Sequence, residues 1–332
     1  MIRAEELAEK LQKAGRKVNI DKLMPVIEEI EELKKEKDAL ILAHTYVEPE
    51  IIYSVADFTG DSYALSKDAF NSGSSVIVFA AVRFMGETAK ILSPSRTVLV
   101  PAENPGCTLA DSITATEVRN LREKYPDYKF ICYINTTAEV KAECDICVTS
   151  SNVYNIVEKV DSDKILFLPD RLMGENLTNE MKKRGIKKEI ITAGGNCYVH
   201  NQYSPEYILE MKNKYENLFV LAHPECTPEV LFHTDFAGST SQIFDKIAET
   251  ESNGPFLILS ESGLTARLKA EFPDKQFAGE CPDCRYMKSN SLENILRVLK
   301  NPRPDDYINI ESSVLEKASE CVAAMFRYTE NK

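Results

Sequence analysis

The apolar residues of this chain gather in short unbroken runs instead of alternating with polar ones. Such runs occupy residues 39–43, 76–81, 130–134, 146–148, 165–168, 190–191, 218–222 and 256–259. They are rich in Val, Ile, Leu and Phe, and each stops abruptly at polar or small residues, among them His44, Arg83, Asn135, Thr149, Pro169, Thr192, His223 and Ser260. A strand with one wet face alternates, whereas an unbroken run suits a strand covered on both faces of a parallel sheet. Helix-like stretches at 114–125, 204–215 and 239–251 separate them. Repeated strand–helix units predict an α/β fold with parallel sheets and right-handed crossovers. Residues 1–37 predict two helices, with 28–37 a solvated charged face, and 291–300 and 312–327 predict helices again. Both ends should wrap the body without carrying chemistry.

At 332 residues the chain is too long for one ordinary core. No linker rich in Pro, Gly or Ser divides it, so its units should pack against one another. We expect a first α/β lobe with the N-terminal helices (1–104), a second lobe (105–190), a third (191–280) and a closing segment (281–332) that packs back on the body. A net charge of −12 argues against a general binder of nucleic acid or anionic membrane. One small anionic substrate stays compatible with it, because a local pocket can be positive. No apolar run is long enough to span a bilayer, and the charged start lacks a signal-peptide core, so a cytoplasmic protein is expected.

Nine cysteines in such a chain predict thiols or metal ligands before disulfides. Cys132 and Cys321 sit in an apolar run and an amphipathic helix and read as small buried hydrophobes. Cys144, Cys147 and Cys226 also read as packing residues. Cys107, Cys197 and Cys284 differ: they lie 90 and 87 residues apart, each in a polar turn. Near-even spacing suggests three similar lobes that each offer one thiolate to a common metal centre, leaving a coordination position free.

The local contexts agree. Pro105-Gly106-Cys107 and Gly194-Gly195-Asn196-Cys197 place thiols in glycine turns, where backbone can approach a bulky centre. Cys281-Pro282-Asp283-Cys284 could equally be a redox pair or half of a zinc site, although no second half follows. His223-Pro224-Glu225 can present a hydrogen-bonding ring and a general base to one pocket. Gly238-Ser239-Thr240-Ser241 opens a helix, either as an anion site or as a plain N-cap. Asp61-Ser62 and Thr149-Ser150-Ser151-Asn152 are similar. Ligands of parallel sheets collect beyond strand carboxyl ends, where His44, Asn135, Ser150, His223 and Glu225 fall. Loops are polar anyway, but that does not explain why three of only four histidines lie at or just beyond such ends.

Together these segments resemble the quinolinate synthase A family, iron–sulfur enzymes of the early pyridine-ring pathway to NAD. The likeness runs from residue 41 to about 295. It rests on Ala43-His44-Thr45-Tyr46, Ala56-Asp57-Phe58-Thr59-Gly60-Asp61-Ser62, Phe84-Met85-Gly86-Glu87-Thr88-Ala89-Lys90, Tyr133-Ile134-Asn135-Thr136 and Thr149-Ser150-Ser151-Asn152. Cys197-Tyr198-Val199-His200, His223-Pro224-Glu225-Cys226, Gly238-Ser239-Thr240 and Cys284-Arg285-Tyr286-Met287-Lys288 complete it. Each piece alone is weak, whereas nine in the family's order are specific.

The resemblance implies three similar three-layer α/β/α lobes around a pseudo-threefold axis, with the active site where they meet. It implies a 4Fe–4S cluster on Cys107, Cys197 and Cys284. Cys284 is preferred to Cys281 because the family's ligand directly precedes the x-x-Met segment, here Met287; Cys281 is left as a redox partner. The implied reaction condenses iminoaspartate with dihydroxyacetone phosphate to quinolinate, losing phosphate and two waters. An aspartate oxidase or dehydrogenase would deliver the iminoaspartate. Glu225 is implied as general base, with His223, Tyr46 and Tyr133 aiding catalysis. His44, Ser62, Ser150, Ser239 and Thr240 would donate to carboxylate and phosphate groups, Asn135 and Phe84 would line the pocket, and His200 would lie near the cluster. Val47, Val148 and the absence of tryptophan depart from the family pattern but remove none of these groups. Two other functions share the cysteines: an iron–sulfur hydro-lyase acting on a hydroxy acid, and a redox or iron sensor.

Overall fold

The computed structural model describes residues 2–251 and 254–330. Met1, Ser252, Asn253, Asn331 and Lys332, which fall in the expected first, third and closing segments, lie outside them. The first sheet holds β1 (Ala39–His44), β2 (Phe58–Gly60), β3 (Val76–Ala80) and β4 (Thr97–Leu99). The second holds β5 (Lys129–Tyr133), β6 (Ile146–Val148), β7 (Lys164–Leu168) and β8 (Glu189–Thr192). The third holds β9 (Phe219–Ala222), β10 (Phe236–Ala237), β11 (Phe256–Leu259) and β12 (Phe277–Ala278). All pairings are parallel.

The spatial order repeats: β2-β1-β3-β4, β6-β5-β7-β8 and β10-β9-β11-β12. The fold is thus α/β with three similar lobes. In each sheet the chain leaves the first strand toward one side and returns to its other side, so the winding reverses there. Ligands of open α/β sheets gather beyond the carboxyl ends at this reversal. The segments that occupy those ends are His44–Tyr46, Tyr133–Asn135 and His223–Glu225, numbered 44–46, 133–135 and 223–225.

Six of the unbroken apolar runs became the central strands, buried on both faces, while 146–148 and 190–191 became the edge strands β6 and β8. In the third lobe, Leu221, Phe256 and Ile258 pack into one layer, and Val220, Leu257 and Leu259 into the other, as strand alternation demands. Strands β2, β10 and β12 gave no apolar run. They are edge strands of two or three residues, and Phe58 in β2 is exposed. Such strands bury too little to need one. Edge strand β6 is legible because the helix Ser312–Glu330 packs over it and all three of its residues are buried. The helices start where their caps announce them: Thr114, Ser204, Ser239 and Ser291 each accept an amide of the first turn.

The 28–37 segment corrects one expectation, for it is not simply a solvated face. Ile27, Ile30 and Lys34 share a buried stripe of the helix Ile20–Glu36. Lys34 Nζ donates to Glu31 at 2.9 Å, Asp57 at 2.8 Å and the Val55 carbonyl at 2.9 Å. A buried ammonium persists when its donors are satisfied in this way. A run of charges conceals which of them turns inward. Among the described residues, no helix is long and apolar enough to cross a membrane.

The helix Arg171–Lys183 lies close on the second sheet at Gly174, where a Cβ would collide with the Thr192 side chain and press on Phe167. Gly174→Ala should push this helix off the sheet and cost about 1–3 kcal/mol. Urea unfolding of the reduced apoprotein measures this, and an unchanged midpoint would refute the close fit.

Candidate active site

One local structure holds all three spaced cysteines. Each precedes a single 3-10 turn, namely Ala110–Ser112, His200–Gln202 and Met287–Ser289. Each cysteine carbonyl accepts the amide four residues on: Asp111 at 2.9 Å, Asn201 at 3.0 Å and Lys288 at 2.9 Å. Each sulfur faces the amides two and three residues on, which are Leu109 and Ala110, Val199 and His200, and Tyr286 and Met287. Paired amides of this kind favour a thiolate. All three cysteines line one cavity.

Burial works against ionisation. It pushes the Cys107 thiol up to about 12 and raises Cys197 and Cys284 as well. Cys284 charge acts on Cys107, and Cys107 charge on Cys197, so the sulfurs lie within electrostatic reach of one another. Three clustered thiolates in such a place need a cation, and the amides already aimed at them fit a metal centre. Among the described residues, the group compact enough for a single ion is Cys197, His200 and Glu225, with donor atoms within 4.8 Å of one another. The three cysteines are spread more widely than that.

The cavity also contains a chain of hydrogen bonds drawn from every lobe. Thr240 Oγ1 donates to Tyr46 Oη at 3.0 Å, and Tyr46 Oη lies 2.8 Å from Ser260 Oγ. Ser260 Oγ is 3.3 Å from His200 Nε2, and His200 Nδ1 is 2.9 Å from Glu225 Oε2. Tyr133 Oη donates to Glu225 Oε1 at 2.6 Å. Burial alone would raise Glu225, but the His200 and His223 rings and the Tyr133 hydroxyl outweigh it and hold the carboxyl below its ordinary range. Burial raises Tyr46 and Tyr133 well above theirs, so both hydroxyls keep their protons.

Two histidines end homologous strands in one geometry. His44 Nδ1 accepts the Tyr46 amide at 3.1 Å, and His223 Nδ1 accepts the Glu225 amide at 3.4 Å. An accepting Nδ1 places the proton of a neutral ring on Nε2. Burial lowers His44 to about 4 and His223 to about 3, so both rings are neutral donors at pH 7.

His44, Tyr46, Ser62, Phe84, Cys107, Tyr133, Asn135, Ser150, Cys197, His200, His223, Glu225, Thr240 and Cys284 all line this cavity. Ser239 stands behind it: its hydroxyl caps the helix Thr240–Glu249 and donates to Asp61 Oδ2 at 3.1 Å. Cys281 faces elsewhere, 3.2 Å from both Thr265 Oγ1 and the Ile258 carbonyl. Cys132 and Cys321 are buried with their sulfurs 3.7 Å apart.

Several residues were not singled out by sequence reasoning. Ser260, Glu261 and Asp170 follow apolar runs and carried the same signal as His223. Buried Glu261 accepts the Cys284 amide at 3.0 Å and pairs with Lys288 at 3.2 Å. Lys288 Nζ also donates to the Tyr46 carbonyl at 2.9 Å. Lys141 is fully buried and donates to the carbonyls of Ile134, at 2.8 Å, and Thr136, on either side of Asn135. Lys141 lies away from strand ends and nothing in the pattern marks it, and Lys288 stood within the Cys284–Lys288 segment without a role.

Fold and site define a three-lobed α/β enzyme class, with a thiol trio, a buried carboxylate and neutral histidines in one interlobe cavity. The model of the quinolinate synthetase A protein family matches residues 28–327. The quinolinate synthase of Clostridioides difficile is 43% identical over 304 residues, covering 91% of this chain and 97% of that protein. Those of Caldicellulosiruptor saccharolyticus (45%, covering 90% and 96%) and Caulobacter vibrioides (39%, covering 91% and 81%) are similar. The chain belongs to the quinolinate synthase family, enzymes of NAD biosynthesis.

The depressed histidines set a direction for stability. The unfolded chain binds protons at its ordinary histidine value of 6.5, whereas the folded one refuses them until about 4 and 3. Stability is therefore present above pH 6.5 and falls with acidification, by about 1.4 kcal/mol per pH unit for each histidine. The apoprotein's urea midpoint should drop between about pH 6.5 and 4.5, and less steeply in His223→Asn. An equal slope in that variant would mean that His223 titrates normally in the fold.

Proposed function

We propose that this cavity condenses iminoaspartate with dihydroxyacetone phosphate to quinolinate, with loss of phosphate and two waters, around a 4Fe–4S cluster held by Cys107, Cys197 and Cys284. The observation that carries the reading is the convergence of three identical cysteine turns on the cavity that contains Glu225. Sulfurs that line one cavity yet fall outside the compact single-ion group favour a multi-iron centre, whose thiolates bind separate irons, over a lone ion. When bound, such a cluster leaves one iron without a protein ligand, a Lewis acid for a hydroxyl or carboxylate oxygen.

The chain's own groups do the rest. His44 and His223 donate Nε2–H to carboxylate or phosphate oxygens without adding charge. Ser62 and Thr240 open the helices Ser62–Asn71 and Thr240–Glu249, whose first amides add to the anion site together with Ser150. Ser239 supports Thr240 from behind. Phe84 and Asn135 shape the wall. Glu225 is ionised at neutral pH and takes the proton at a carboxylate oxygen, its basicity rising when a substrate oxygen competes for the Tyr133 hydroxyl. His200, Ser260 and Tyr46 can pass that proton along their hydrogen bonds. Iminoaspartate comes from an aspartate oxidase or dehydrogenase in transient contact. A cytoplasmic setting, which keeps thiols reduced, belongs to the same reading. Family membership disfavours both the hydro-lyase and the sensor.

Glu225→Gln should keep the brown absorbance of anaerobically loaded protein while quinolinate formation falls at least ~100-fold. Loss of colour would instead make Glu225 structural, and full turnover would remove it as the base. Cys107→Ala, Cys197→Ala and Cys284→Ala should each lose most iron, whereas Cys321→Ala should not. Iron retained in Cys284→Ala and lost in Cys281→Ala would move the third ligand.

A further inference from the structure

The loop that carries Glu225 is held from another lobe. Asn176 lies on the helix Arg171–Lys183 of the second lobe and is 5% exposed. Its Nδ2 donates to the Pro224 carbonyl at 2.9 Å and to the Cys226 carbonyl at 2.8 Å. These are the carbonyls immediately before and after Glu225. Two acceptors settle the amide's orientation, because only its NH2 end can donate to both. Glu225 itself makes two short side-chain bonds, to Tyr133 at 2.6 Å and His200 at 2.9 Å. Its own amide contributes only the long 3.4 Å contact to His223. The Cys226 amide closes the turn around Glu225 on the His223 carbonyl at 3.0 Å, and the Asn176 bridge holds the peptide group before Glu225 and the one after Cys226 from another lobe. Lys141 treats Asn135 in the same way, from within the second lobe.

We propose that Asn176 is a positioning residue for the reaction: by bridging the carbonyls on either side of Glu225, it sets where that carboxylate stands relative to its partners and the substrate. This rests on Glu225 being the base. The helix of the second lobe thereby locates the base of the third, so the two lobes must be in register for the carboxylate to work.

Anaerobic, cluster-loaded Asn176→Leu, similar in volume but without a donor, tests this beside Asn176→Ser, which keeps one donor. Asn176→Leu should lose about 10- to 100-fold in kcat, and Asn176→Ser less, with KM within about twofold of the parent. Iron content and absorbance should not change. In a Glu225→Gln background, Asn176→Leu should add no further loss to the residual rate, because its effect runs through Glu225. Parental kcat in both variants, a loss confined to KM, or full additivity with Glu225→Gln overturns the proposal. If Asn176→Leu fails to fold, the kcat of Asn176→Ser decides. Normal turnover by Glu225→Gln alone would instead overturn the assignment of the base, which separates the two failures.

Discussion

A buried negative charge organises this molecule. Glu225 is 3% exposed and ionised, and an ionised carboxylate away from water persists only when hydrogen bonds and nearby rings offset its desolvation. Those partners come from different parts of the chain: Tyr133 ends β5, and His200 opens the turn after Cys197. Lobes that drifted apart would strand the charge. The cost of doing so ties the relative placement of the lobes to the chemistry at their junction.

The same local solutions recur around that junction. Three cysteines use one turn, with their sulfurs under two amides and their carbonyls closing on the fourth residue. Two histidines end corresponding strands and have their tautomer set by the amide two residues on. Three sheets use one strand order. Repetition of this kind gives a cavity three similar walls, which different side chains then distinguish: three cysteine thiols, two neutral imidazoles and one buried carboxylate.

The lobes are not joined uniformly. The first two share a continuous apolar core with the terminal helices, while the third builds its own two layers on the faces of its sheet. Polar contacts cross to the third lobe near the cavity: Ser239 to Asp61, Gln242 to the Ser151 carbonyl at 3.3 Å, and Asn176 to the Glu225 loop. Directional bonds fix orientation more tightly than apolar packing does, and they lie where orientation matters most.

Unbroken apolar runs announced the central strands, because burial on both faces leaves no room for polar residues. The abrupt ends of those runs announced His44, Asn135, Ser150, His223 and Glu225, because parallel strands must deliver their carboxyl ends to one side. Spacing set apart the three cysteines from their six neighbours in composition. The two-residue edge strands stayed hidden, since they bury too little to leave a pattern. Ser239 looked like a ligand group until the fold gave its hydroxyl to a helix end and to Asp61. What Lys34, Lys141, Asn176 and Lys288 do was hidden for a common reason. Their roles depend on acceptors 3 to 242 positions away in the chain, and most of those acceptors are backbone carbonyls, which every residue has and which the folded arrangement brings within reach.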